Sequence, residues 1–247
     1  MDIAVVGALL GSGICMGLGS LANGTGIGYV AVGALRGWVR QPKVSAATFR
    51  LMLVGQAGAS TPSIFALVVS LVLLIKMADP RSLAAPDSWP QAMAFVATGL
   101  AVGIASLGSG YGCGLVGSSA VETSARIPRQ TGKIMLYMLV GQAWGQTPNI
   151  LALVIGLILL FTQFPAPAYP QFIGEVGRLL GVGICIGAGA IGPALGIGYV
   201  GAKYCRALGD NPRFGDSTIR TVFFVGAAVS ETTTIYAFLI ALILLFE

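Results

Sequence analysis

The sequence predicts an all-α membrane protein of three tandem transmembrane hairpins, six spanning helices in all. Three observations predict it. First, 55% of the 247 residues are hydrophobic and only 9% are charged, where a soluble domain carries about a quarter charged. Second, the chain repeats: "GTGIGYVAVGALRGWVRQP" (24–42), "GYGCGLVGSSAVETSARIP" (110–128) and "ALGIGYVGAKYCRALGDNP" (194–212) share one pattern, as do "GQAGASTPSIFALVVSLVLL" (55–74), "GQAWGQTPNILALVIGLILL" (141–160) and "GAAVSETTTIYAFLIALILL" (226–245). A unit of about 85 residues recurs three times, and such a period marks a repeat architecture. Third, eleven of the fourteen basic residues fall in three loops, each inside one unit.

The first unit, residues 1–80, opens on a helix rich in glycine (Gly17, Gly19, Gly24, Gly26, Gly28). Such a helix has almost no side-chain bulk on one face and crowds against copies of itself. Asp2 stands where a signal peptide carries its basic region, so this segment is expected to be a retained helix. A loop with Arg36, Arg40, Lys43 and Arg50 leads to a bulkier helix ending in "SLVLLI", suited to lipid contact. The second unit, 81–168, repeats the plan with Arg126, Arg129 and Lys133 in its loop. The third, 169–247, does so with Lys203, Arg206, Arg213 and Arg220, and its first helix carries Gly187, Gly189, Gly192, Gly196 and Gly198. A slim inner helix beside a wide outer one describes a wedge, and wedges close into a ring.

The linkers between hairpins are rich in proline, poor in basic residues, and carry Trp89, Tyr169 and Phe172 at expected interfacial positions. The positive-inside rule puts the three hairpin loops in the cytoplasm and both termini outside. The net charge of +5 therefore sets topology and argues against nucleic-acid binding. No histidine is present, and Cys15, Cys113, Cys185 and Cys205 have neither metal-site nor disulfide-framework spacing. "GTGIG" lacks the strand and acidic partner of a dinucleotide site, and no cofactor is expected.

Aligning the outer helices puts Ser60, Gln146 and Glu231 at one position, followed by Thr61, Thr147 and Thr232, then Pro62, Pro148 and Thr233. Glu231 lies fifteen residues before Phe246, about 22 Å along a helix and so near mid-bilayer. An ionised acid there costs several kcal/mol. Two units keep the pattern around the position without the acid. Pro62 and Pro148 are expected to kink their helices, and Trp144 to fill volume beside the acid-free position.

These residues resemble the rotor-ring proteolipid (c or K subunit) of rotary F-, V- and A-type ATPases: a glycine-rich inner helix, "RQP" at Arg40–Pro42 in the loop, and a mid-membrane acid in the outer helix, all in register. The loop departs to "RIP" at 126–128 and "DNP" at 210–212. Three fused hairpins exceed the single hairpin usual in F-type and the double usual in V-type subunits.

The resemblance implies a non-catalytic member of an oligomeric rotor ring in a bacterial or archaeal cytoplasmic membrane. It implies that Glu231 binds the coupling ion, with Thr232 and Tyr236 at the family's hydrogen-bonding positions and Ser60 and Gln146 as degenerate site positions. Thr232, Tyr236 and the carbonyl of Val229 would supply a partial oxygen shell if the ion were Na⁺. Expected partners are further copies in a ring, a stator protein of the a/I type that bears an Arg, membrane lipid, and the proteins of a central stalk. The stalk is expected to touch Arg40, Gln41, Pro42, Arg126, Pro128, Asn211 and Pro212. The family's sodium sites add an inner-helix Gln, where this chain has Ile27, Cys113 or Ile197, none an oxygen donor. The expected ion is H⁺ rather than Na⁺. The competing reading is a stand-alone ion channel or transporter with Glu231 in its pathway. Transporters more often show inverted repeats and several polar residues along a path, whereas these repeats share one topology.

Overall fold

The computed structural model describes residues 2–78, 89–164, 171–211 and 216–246. Of the expected stalk contacts, Pro212 lies outside the described residues, as does Tyr169 of the interfacial aromatics. Among the described residues every regular element is helical: α1 (Ile3–Arg40), α2 (Ser45–Ala78), α3 (Trp89–Arg126), α4 (Thr131–Gly145), α5 (Thr147–Phe161), α6 (Gln171–Asp210) and α7 (Asp216–Phe246). Six helical segments, α4 and α5 counting as one, are long and apolar enough to cross a membrane. In hydrocarbon each backbone group needs an internal partner, which continuous helices supply. The 38 residues of α1 or α3 span about 57 Å, well beyond the hydrocarbon core of about 30 Å.

The two described hairpin turns are built alike. The Gln41 N–H donates to Gly37 O at 2.9 Å and the Ile127 N–H to Thr123 O at 3.0 Å. A one-turn 3₁₀ segment follows at Pro42–Val44 and at Pro128–Gln130. Proline suits this position because its missing N–H would be unpaired there anyway. The prolines within the outer helices act differently from each other. At Pro148 the helix breaks between α4 and α5, whereas α2 runs through Pro62 without interruption. Proline at 62 frees the carbonyl four residues back, Gly58 O, and the Gln146 side-chain amide donates to that carbonyl at 3.2 Å. The Thr147 hydroxyl takes the corresponding Trp144 carbonyl at 2.7 Å.

The helices form two layers. In the inner layer α3 lies between α1 and α6. In the outer layer α2 packs on α1 and α3, α4 and α5 pack on α3 and α6, and α7 packs on α6 and touches α5. Inner helices meet backbone to backbone. A methyl on Gly99 would lie 2.2 Å from Gly11 O, and one on Gly198 would lie 2.5 Å from the Gly112 Cα. Gly99, Gly103, Gly110 and Gly114 face α1, and their repeat equivalents Gly183, Gly187, Ala194 and Gly198 face α3. The same positions on α1 are Gly13, Gly17, Gly24 and Gly28, and each of these has open space beside it. The inner layer thus carries one contact twice and presents its uncovered half on α1.

Charges hold both ends. At the loop end Arg40 pairs with Glu122 across α1 and α3 at 3.3 Å, and Arg126 with Asp210 across α3 and α6 at 3.5 Å. At the opposite end Lys76 donates to Leu160 O at 2.9 Å, and Arg178 donates to the Leu244 and Leu245 carbonyls at 2.7 Å each. Cations there meet the negative ends of α5 and α7.

Candidate ion-binding site

Glu231 sits where three helices converge. Ser230 faces the inner helix: a methyl on Gly196 of α6 would lie 2.9 Å from the Ser230 Oγ. One residue further round α7, Glu231 meets α4. There the indole N–H of Trp144 donates to Glu231 Oε2 at 2.5 Å. The carboxylate is half-buried in the outer layer, and the ion pairs among the described residues lie at the ends of the bundle.

Trp144 is held by an aromatic stack joining α4, α6 and α7. Its ring meets Phe223 edge-on at 6.2 Å and Phe224 at 5.7 Å, Phe223 stacks on Tyr204 at 5.0 Å, and Tyr204 meets Tyr137 at 4.5 Å. Pairs in this range favour offset and edge-to-face geometry, which fixes the direction of the indole N–H. The side chain expected to fill volume is therefore the hydrogen-bond donor of the site. The sequence carried no local signal for this, since Trp144 and Glu231 are 87 residues apart.

The other expected site residues are arranged as follows. The Thr232 hydroxyl donates to Val229 O at 2.7 Å, the ordinary back-bond of a helical threonine. Val229 and Tyr236 are each 63% exposed. Among the described hydrogen bonds neither Thr232 nor Tyr236 reaches the Glu231 carboxylate. Ile197, at the inner-helix position, is fully buried.

The acid-free positions are occupied in their own way. The Ser60 hydroxyl donates to Gln56 O at 2.8 Å, and Gln146 donates to Gly58 O. One turn earlier, Gln56 and Gln142 donate to the inner-helix carbonyls of Ile27 at 3.5 Å and Cys113 at 3.1 Å. Gln142 also donates to Gly55 O at 2.8 Å. Hairpin 3 has Ala227 at that position. Among the described residues no cluster of His, Cys, Asp and Glu could hold a metal ion.

At the loop end, Arg36, Arg40, Glu122, Arg126, Lys203, Arg206 and Asp210 surround an open cleft of about 590 Å³. Glu122 is 7% exposed, with Arg40 and Arg126 on either side. Of the expected stalk contacts, Gln41 donates to Arg126 O at 3.4 Å, Pro42 and Pro128 start the 3₁₀ turns, and the Asn211 N–H donates to Ala207 O at 3.1 Å.

The family model for the ATP synthase C subunit matches three times, over residues 10–73, 96–159 and 180–244. The chain is 31% identical over 156 residues to the K subunit of the A-type ATP synthase of Methanocaldococcus jannaschii, an alignment covering 63% of each chain. It is 43% identical over 75 residues to the ATP synthase c subunit of Thermotoga petrophila, covering 30% of this chain and 87% of the relative. The chain thus spans just under two thirds of the archaeal relative and most of the bacterial one.

Proposed function

Since the chain belongs to the C-subunit family of ATP synthases, we propose that it is a non-catalytic rotor-ring subunit of a rotary ATPase or ATP synthase. In this reading copies of the chain form a ring in a bacterial or archaeal cytoplasmic membrane, with the hairpin loops in the cytoplasm against a central stalk. Each copy carries one H⁺ on Glu231.

The observation that carries the reading is the setting of Glu231: one acid deep in an apolar helix, half-buried, held by an uncharged donor. A charged side chain at the bilayer centre costs about 2.5–3.5 kcal/mol on insertion scales. A neutral, loaded carboxyl avoids that cost and can travel against lipid. The ionised form is stable only beside water and a cation, which a stator protein with an aqueous half-channel and an Arg would supply. Loading on one side of the Arg and release on the other then couples ion flow to rotation.

The indole N–H has no acceptor lone pair, so it holds one carboxyl oxygen whether the group is charged or neutral. It cannot serve as a ligand to Na⁺. Together with apolar Ile197, this supports H⁺ as the carried ion. The open stripe Gly13, Gly17, Gly24 and Gly28 supports a ring of copies.

The test combines a variant with a chemical label. Glu231→Gln keeps the acceptor for Trp144 but cannot ionise. It should reduce ATP-driven ion uptake to background while imaged rings stay intact. Dicyclohexylcarbodiimide, which attacks protonated carboxyls in apolar surroundings, should label Glu231 alone. Millimolar Na⁺ should not protect it at neutral pH. Wild-type transport in Glu231→Gln would sink the site assignment, and strong Na⁺ protection would overturn the choice of H⁺.

A further inference from the structure

The loop-end charges repeat along the chain with their signs changed, and that pattern bears on the seam between copies. Two positions on each inner helix matter. The first is Arg36, Glu122 and Arg206 on α1, α3 and α6, and the second, one turn later, is Arg40, Arg126 and Asp210. Across the seam between hairpins 1 and 2, the second position of α1 meets the first of α3: Arg40 pairs with Glu122. Across the seam between hairpins 2 and 3, the two second positions meet: Arg126 pairs with Asp210. Each internal seam therefore brings one acid against an arginine, with the acid on the later hairpin.

Continuing this packing by one more hairpin sets α1 of a second copy beside α6. The uncovered face of α1, Gly13, Gly17, Gly24 and Gly28, is the repeat equivalent of the faces α3 and α6 already use. On α6 the equivalents of Gly26 and Gly112 and of Ala22 and Gly108 are Gly196 and Gly192, and Gly192 has open space. In this register the second position of α6, Asp210, falls beside the first and second positions of the incoming α1, Arg36 and Arg40. Arg36 is exposed, and no ion pair is described for it. The Asp210 side chain is 66% exposed even with Arg126 beside it.

We propose that neighbouring copies are joined at the loop end by Asp210 of one copy against Arg36 and Arg40 of the next, an ion pair with the acid on the earlier hairpin, reversed from the two seams inside the chain. The proposal rests on the ring reading above and commits the uncovered face to a second copy of this chain. Asp210 then stands between Arg126 of its own copy and the two arginines of the next. Without it, this seam would gather Arg36 and Arg40 against Lys203 and Arg206 with no counter-charge from the α6 side.

Two measurements on the intact membrane complex test this. In the first, Arg36→Cys and Asp210→Cys are combined in one chain, and membranes are treated with copper phenanthroline. The expected result is a ladder of covalent chain multimers on a denaturing gel, absent from each single variant and from the parent, whose own cysteines are mostly buried. In parallel, Arg40→Cys with Glu122→Cys should link within a chain and leave its multimer state unchanged. In the second, Arg36→Glu places an acid against Asp210. It should cut the yield of intact ring in mild detergent at low salt at least twofold, and Arg36→Lys should restore it. A closed ring by imaging with no ladder, or an adduct to a different proteolipid, overturns the proposed seam and leaves the ring reading standing. Rings equally robust in Arg36→Glu also overturn it. A parent chain that shows no closed ring overturns the ring reading itself.

Discussion

The indole N–H of Trp144 and Oε2 of Glu231 are joined across two hairpins by a 2.5 Å hydrogen bond. The link has a repeat counterpart: Gln146, at the site position of hairpin 2, donates to Gly58 O on the outer helix of hairpin 1. Gly58 and Trp144 are equivalent positions. The site position of one hairpin therefore reaches back onto the outer helix of the hairpin before it. For Glu231 that neighbour lies in the same polypeptide.

Trp144→Phe keeps an aromatic ring and removes the N–H together with the fused five-membered ring. A hydrogen bond to a charged group is worth about 1.5–3 kcal/mol, and losing it also frees the carboxyl to leave its transfer geometry. ATP-driven ion turnover should fall by about tenfold or more while imaged rings remain closed. With Trp38 and Trp89 replaced by Phe, reaction of Glu231 with the carbodiimide should shift Trp144 fluorescence. An unmoved spectrum would show that the indole does not sense the carboxyl.

Gln146→Glu does not simply create a second ion site. Its neighbour is the Gly58 carbonyl, an acceptor, so a protonated carboxyl can still donate to it, but on ionising the carboxylate loses the bond that Gln makes and faces another oxygen. The expected outcome is no gain in ions per ATP and a destabilised chain, by about 1–3 kcal/mol for the orphaned carbonyl. Adding Pro62→Ala returns an N–H to Gly58 O and should recover most of that stability in a thermal melt. If Gln146→Glu alone matched the parent in stability, the assigned role of the Gln146 amide would fail.

The repeats, the glycine stripes and the lone acid were legible because each is a local pattern read at fixed offset. Trp144 was not, because its role depends on how far the outer helix of one hairpin is displaced toward the next. The prolines illustrate the same limit. Pro62 and Pro148 look alike in sequence, yet only the helix at Pro148 breaks; the carbonyl freed at Gly58 is bonded by Gln146 from another hairpin, and the one at Trp144 by the neighbouring Thr147 hydroxyl. The partner is tertiary information at Pro62 and local at Pro148. Thr232 and Tyr236 were expected at the carboxyl from the motif, but Thr232 bonds its own helix.

Gly24→Leu tests the open stripe. Within one chain the new side chain meets open space, and leucine favours the helix over glycine by roughly 1 kcal/mol. Membrane insertion and helix content should be unchanged, while native gels show loss of the ring. Gly110→Leu, whose Cβ would lie 2.7 Å from Ala22 O, should instead damage the chain itself. Rings of normal size from Gly24→Leu would remove the stripe from the interface.

On the proposed rotor reading, one acid per three hairpins lowers the ions carried per turn for a ring of given circumference, while a catalytic head would fix ATP per turn. Each charge driven across 100 mV takes about 2.3 kcal/mol, so fewer charges per ATP allow a steeper gradient. The complex should act mainly as an ATP-driven pump. Counting ions per ATP in reconstituted vesicles should give about two or fewer on this energetic scale, and about three or more would favour synthesis.

The aromatic bracket around Trp144 has no counterpart at the junction of hairpins 1 and 2. At the equivalent place in hairpin 1 a Cβ would already be 2.2 Å from Gln142 Oε1, so Gly58 leaves no room for an indole while Gln142, the counterpart of Ala227, holds its place. In an assembly of identical single hairpins, any substitution appears at all junctions at once and must suit every one. Covalent triplication lifts that constraint. Position 144 could become tryptophan at one junction while position 58 stayed glycine at another. Residues can then specialise one third of the circumference at a time, as paralogues do, inside a single gene product.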